Sequence, residues 1–95
     1  MWLKGRVKII RKENDYLSVK KGDIIAAYNT KPDIVLVIKK IKAIITEVDN
    51  KLCHAAIISR EYGIPLVMGV KDIFNQFKDG EVIKVNILTK EIKKC

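Results

Sequence analysis

Thr46-Glu47-Val48-Asp49-Asn50-Lys51-Leu52-Cys53-His54-Ala55-Ala56-Ile57-Ile58-Ser59-Arg60-Glu61-Tyr62-Gly63-Ile64-Pro65-Leu66-Val67-Met68-Gly69 contains the only histidine of the chain and decides its architecture. Residues 42–48 carry β-branched Ile44, Ile45, Thr46 and Val48 and predict a buried strand. Asp49-Asn50-Lys51 reads as a tight polar loop. Residues 54–62 read as a helix closed by Gly63, with Pro65 two residues beyond. Residues 66–68 predict a short strand ended by Gly69. Strand, loop, helix and strand in this order form an α/β unit.

Outward from this centre the chain alternates in the same way. Residues 5–10 read as a strand with Val7 and Ile9 on one face, and residues 24–28 as another behind the turn Lys21-Gly22-Asp23. Residues 11–21 are mostly polar and predict a loop with one helical turn. Pro32 suits a helix start, and Ile34, Ile38 and Ile41 then share one side at helical spacing. Residues 71–77 read as one or two helical turns with Ile73, Phe74 and Phe77 turned inward. Beyond Asp79-Gly80, residues 81–88 alternate, with Ile83, Val85 and Ile87 facing in and Val82, Lys84 and Asn86 facing out. A last short strand is expected at 91–93. The pattern predicts an α/β sandwich with mixed strand directions, one domain spanning residues 1–95.

Composition narrows the possible functions. Ninety-five residues fill one small domain, and a complete nucleotide-using enzyme rarely fits in that length, so a partner is expected. An apolar content of 48% is too rich for disorder. The apolar runs 24–28 and 34–38 fall far short of the ~20 residues of a membrane span. No apolar stretch precedes the first charges at Lys4 and Arg6, so no secretory leader and a cytoplasmic location are expected. The 19 Lys and Arg residues outnumber 11 Asp and Glu, for a net charge of +8. Nucleic-acid binding is a remote alternative. The lysines are scattered, arginine occurs only at Arg6, Arg11 and Arg60, and no aromatic residues interleave with the basic ones. Solvated surface charge in a thermophile-like, Lys- and Ile-rich composition accounts for it. Cys53 and Cys95 form no CxxC pattern, so a zinc site is not expected, and they read as a reduced pair. Cys53 and His54, as chain neighbours, project in different directions and do not form a nucleophilic dyad.

His54 opens its helix, where free backbone N–H groups attract anions. The positive helix end also disfavours imidazolium and keeps the ring neutral and nucleophilic. By position alone, a lone histidine near a helix start reads equally as a surface or capping residue.

The quoted string resembles the signature of the phosphohistidine, or swivelling, domain, the mobile domain of phosphoenolpyruvate-utilising enzymes such as phosphoenolpyruvate synthase and pyruvate phosphate dikinase. The family pattern runs Thr-Glu, Gly-Gly, Ser or Cys, the His, Ala-Ala-Ile-Ile-Ala-Arg-Glu and Gly-Ile-Pro. Weaker blocks match at Lys21-Gly22-Asp23-Ile24-Ile25, Thr30-Lys31-Pro32-Asp33 and Asp79-Gly80-Glu81-Val82-Ile83-Lys84-Val85. The resemblance implies a three-layer β/β/α sandwich, and a free-standing carrier that accepts and passes on a phosphoryl group at His54. It implies no cofactor or metal on this chain. ATP, phosphoenolpyruvate and magnesium are expected on partners, an ATP-grasp-like nucleotide-binding protein or a pyruvate- and phosphoenolpyruvate-binding barrel.

Around His54, Thr46, Asp49, Asn50, Lys51 and Cys53 are the expected loop and support residues. Lys51 is the nearest cation in sequence, Thr46 a hydroxyl at a strand end, and Cys53 a small residue at the helix cap. Arg60 and Glu61 are expected to form a structural ion pair. The family's Gly-Gly is Asp49-Asn50 here. Asn50 tolerates the left-handed backbone region, whereas Asp49 brings a carboxylate toward an arriving dianion. A catalytically degenerate interaction or regulatory module that kept the fold and lost the transfer is the competing expectation.

Overall fold

A strand buried on both faces needs an unbroken apolar run, and one exposed on a single face needs alternation. Both patterns occur in the computed structural model, which describes residues 2–95. Its strands are β1 (Trp2–Ile10), β2 (Ile24–Ala27), β3 (Ala43–Thr46), β4 (Leu66–Val67), β5 (Val82–Asn86) and β6 (Ile92–Lys94), with helices α1 (His54–Tyr62) and α2 (Ile73–Gln76). Short 3-10 helices occupy Glu13–Ser18 and Pro32–Leu36.

The six strands form one sheet in the order β4-β3-β2-β1-β5-β6. From β1 to β4 the pairs are parallel, and β5 and β6 add antiparallel. Every residue of β2 and β3 is buried, whereas in β5 Ile83 and Val85 are buried and Lys84 is exposed.

Two apolar clusters lie on opposite faces of the parallel half. On one, Ile10, Ile25, Ala27 and Ile44 pack with Tyr16, Ile34, Ile38, Ile41 and with Ile58 of α1. On the other, Val7, Ile9, Ile24, Ala26, Ala43 and Ile45 pack with Ile73 of α2, with Phe77, and with Ile83 and Val85 of β5. The antiparallel half thus curls onto the core of the parallel half, giving the layered α/β sandwich of mixed strand direction that the sequence implied.

Several boundaries differ from expectation. β1 begins at Trp2 rather than residue 5, because pairing with β5 continues through Trp2↔Asn86. The helix expected from Pro32 is a five-residue 3-10 segment ending at Leu36, although Ile34, Ile38 and Ile41 are all buried. β-branched Ile34, Val35, Val37 and Ile38 crowd the preceding turn and stop the helix from propagating. Ile87 lies beyond β5 and is only half-buried.

The lysines, scattered in sequence, are partly gathered by the fold. Register places Lys4 opposite Lys84 and Lys84 opposite Lys93, in one row across β1, β5 and β6. Lys93 lies over the Trp2 ring, 5.2 Å from its centroid.

Gly5 sets the closeness of β1 to the turn before β2. A Cβ at this position would lie 2.7 Å from the Gly22 carbonyl oxygen and 3.1 Å from Ile24 Cγ1. Backbone cannot yield as a side-chain tip can, so Gly5→Ala should destabilise the fold by about 1–3 kcal/mol, measured by urea unfolding.

Candidate functional site

Register Ala27↔Thr46 ends β2 and β3 level with each other, so the chain leaves both at the same edge of the sheet. Open α/β sheets hold their ligands outside the carboxyl ends of parallel strands. Glu47 N–H donates to the Ala27 carbonyl at 3.2 Å and Val48 N–H to that of Tyr28 at 3.0 Å, so the two loops stay joined past the strands. α1 starts eight residues after Thr46, with Cys53 as N-cap and His54 as first helical residue.

The loop after β2 meets the start of α1 through two side chains. Asn29 Oδ1 accepts from Thr30 N–H at 2.8 Å and from Ala55 N–H at 3.4 Å, satisfying a donor of the first turn. Thr30 Oγ1 lies 2.6 Å from His54 Nδ1. Thr30 is only 6% exposed, so this oxygen is a fixed partner. His54 itself is half-buried. Its Nε2 has no hydrogen-bond partner among the described residues, nor have the N–H groups of His54 and Ala56. One ring nitrogen is held and the other is free beside helix N–H groups, an arrangement that can attack an electrophile and receive an anion.

A buried phenol supports this contact from behind. Tyr16 Oη accepts from Lys31 N–H at 3.0 Å and so fixes the backbone next to Thr30. Burial pushes the Tyr16 phenol above its ordinary range, partly offset by the Lys31 hydrogen bond. The phenol stays protonated.

The remaining expected residues shape the loop before α1. Thr46 is fully buried and donates its hydroxyl to the Val48 carbonyl at 2.9 Å, so its role is to bend the chain at the end of β3. Asn50 Oδ1 accepts from Leu52 N–H at 2.8 Å, and its carbonyl accepts from Cys53 N–H at 3.0 Å. Neither Asp49 nor Asn50 has a positive φ, so this loop does not use the left-handed region that Asn50 would tolerate. The Asp49 carboxylate is turned onto Gly69, whose φ is +79°. A Cβ at Gly69 would lie 3.0 Å from Asp49 Oδ2. Cys53 Sγ is 4.0 Å from Met68 Sδ.

Arg60 and Glu61 do not form the expected ion pair, because consecutive helical residues point about 100° apart. Instead Arg60 Nη2 donates to the Lys51 carbonyl at 3.0 Å and Nε to that of Ala56 at 3.3 Å, tying the helix back to the loop. Lys51 is exposed.

Asn29, Thr30 and Tyr16 had no assigned role from sequence. The block Thr30-Lys31-Pro32-Asp33 was a signal, but its link to His54 is spatial. Among the described residues, no helix is long and apolar enough to cross a membrane.

Comparison with known proteins places the chain in a family. The family described as PEP-utilising enzyme, mobile domain, matches residues 19–90, and the chain belongs to that family. It is 43% identical over 82 residues to a protein named "Probable phosphoenolpyruvate synthase" from Archaeoglobus fulgidus, covering 86% of this chain and 11% of that protein. Identity is 42% to an uncharacterized phosphotransferase of Bacillus subtilis and 40% to phosphoenolpyruvate synthase of Escherichia coli, each over 86% of this chain and 10% of the relative. The chain therefore spans about a tenth of the length of these relatives. Among solved structures, a solution structure of Enzyme I matches with a TM-score of 0.65 over 81% of this chain and 32% of the other, at 22% identity, which shows a shared fold.

Tyr16→Phe would leave Lys31 N–H without its acceptor. It should cost about 1–3 kcal/mol in urea unfolding and speed hydrogen exchange at the Lys31 amide.

Proposed function

We propose that this domain is a phosphohistidine carrier, accepting a phosphoryl group at His54 Nε2 and passing it on within a phosphoenolpyruvate-type phosphotransfer system. The observation that carries this reading is the pairing of Nδ1 with buried Thr30 while Nε2 stays free. With the proton on Nδ1, the ring donates to Thr30 Oγ1 and directs the Nε2 lone pair outward. Nε2 forms a bond to phosphorus as the bond from phosphorus to the donor's leaving oxygen breaks. The ring then bears positive charge, which Thr30 shares by accepting from Nδ1–H. The dianion lies beside the first-turn N–H groups of α1. Phosphoryl transfer asks little more of this chain than placement and charge stabilisation.

Partners complete the cycle: a nucleotide-binding domain of ATP-grasp type that loads His54, or a barrel that binds pyruvate and phosphoenolpyruvate. These would bring ATP or phosphoenolpyruvate together with magnesium, which neutralises phosphate charge. The names of the phosphoenolpyruvate synthases above support this setting. Tyr28, Leu52 and Ile57, all exposed, accompany the two loops and the first turn of α1 and offer apolar contact to a docked partner.

Incubation with a phosphoenolpyruvate-utilising donor enzyme should add one acid-labile phosphoryl group by intact mass, and His54→Ala should abolish it. Thr30→Val should keep the fold and slow loading about tenfold or more, because the Nδ1–H tautomer loses its acceptor. Neutralising Asp49 by Asp49→Asn should speed loading several-fold, since one carboxylate near a dianion costs on the order of 1 kcal/mol. A wild-type chain that no donor loads would instead identify an interaction module that kept the fold and lost the transfer.

The row Lys4–Lys84–Lys93 beside Trp2 is a cationic strip that speaks for polyanion binding. Fluorescence anisotropy with a random-sequence oligonucleotide should show weak association that disappears by physiological salt. Sub-micromolar, sequence-selective binding at that salt would replace the carrier reading.

A further inference from the structure

Beside the candidate site, α1, β4 and the turn after β5 enclose an open groove of about 590 Å³. Its apolar lining is Ala56, Ile64, Pro65, Leu66, Met68 and Ile87, and its cations are Lys51, Arg60 and Lys90. No acidic residue lines it. Of its residues, Met68 lies against Cys53, the N-cap of α1, and Lys51 belongs to the loop that leads into His54. The groove is therefore continuous with the surface that presents the histidine.

Two of the three cations are already held in place by backbone. Arg60 spends Nε and one Nη2 hydrogen on the carbonyls of Ala56 and Lys51. A guanidinium has five N–H donors, so three remain. Lys90 Nζ donates to the Leu66 carbonyl at 3.0 Å and retains two further donors. Cations ordered in this way lose less side-chain freedom when an anion arrives than free surface lysines would.

We propose that this groove docks an acidic, apolar segment of the carrier's protein partner, with apolar side chains against Ile64, Leu66 and Ile87 and carboxylates on Arg60 and Lys90. The inference rests on the carrier reading in one respect, that the domain must meet a partner with its His54 end. Charge selects the occupant. A second copy of this chain would bring a net charge of +8 to a rim that is itself cationic, which like-charge repulsion opposes. A segment mixing carboxylates with apolar side chains matches both rim and floor. Because Arg60 also holds the Lys51 carbonyl, an occupant bound to it stiffens the loop that precedes His54.

The test is selection of a random dodecapeptide phage library on the wild-type chain in physiological salt, with counter-selection on the double variant Arg60→Gln/Lys90→Gln. A matching amide spectrum first establishes that this variant is folded. Expected are peptides that combine Asp or Glu with Leu, Ile, Phe or Trp, bind the double variant at least tenfold more weakly, and bind Ile87→Ser more weakly as well. Their synthetic copies should shift the amide signals of Ile64, Leu66, Val67, Met68 and Ile87. The proposal is overturned by the absence of enriched peptides, by enriched peptides without acidic residues, by equal binding to the double variant, or by shifts that map to Lys4, Lys84 and Lys93. None of these outcomes depends on phosphorylation of His54, so a failure here and a failure of the carrier reading are separately visible.

Discussion

An imidazole becomes a directed nucleophile when one nitrogen is held and the other is left open, and here a single contact of 2.6 Å between Thr30 Oγ1 and His54 Nδ1 does the holding. It joins positions 24 residues apart, which meet only because β2 and β3 pair in parallel and end in register. A slip of one residue between those strands would reverse the faces of every side chain and separate the ends of the two loops. The site therefore inherits its precision from the sheet. Burial of every residue of β2 and β3 on both faces makes such a slip costly.

The packing on either side of that sheet is equally restrictive. Two apolar clusters grip the parallel half from opposite sides, so neither the helices nor the curled antiparallel strands can shift without opening a core. His54 sits instead at the margin, at the start of α1 and beside loops fixed by side-chain and backbone hydrogen bonds. Tyr16 to Lys31, Asn29 to Ala55 and Asn50 to Leu52 each remove one freedom from a segment that would otherwise be mobile. In the proposed carrier, rigidity around the free Nε2 shortens the search for an in-line geometry.

Much of this was legible in the sequence, and the failures share a cause. The helix at residues 54–62, its glycine stop and the strands around it follow from local rules, and the structure has that helix at His54–Tyr62 with Gly63 at φ +66°. The segment after Pro32 is 3-10 rather than α-helical, because isoleucines at helical spacing satisfy burial equally well in tight turns. Arg60 was paired with its sequence neighbour, whereas its partner is a carbonyl nine residues back. The roles of Thr30 and the lysine row were invisible because each depends on which strands are adjacent, and adjacency is a property of register. Composition counted the lysines but could not align them.

The substituted loop shows how a departure from a family pattern is absorbed. Glycines at positions 49 and 50 would give conformational freedom, yet neither residue here adopts the conformation that needs it. Asn50 replaces freedom with a local hydrogen bond to Leu52, which costs the loop entropy once and then holds it. Asp49 needs space rather than an unusual backbone, and finds it over Gly69, where a side chain would collide. Position 69 is therefore constrained twice, by its positive φ and by the carboxylate above it. The loop trades the permissiveness of glycine for a fixed path, and for the proposed carrier this leaves electrostatics, not geometry, as the difference that Asp49 makes.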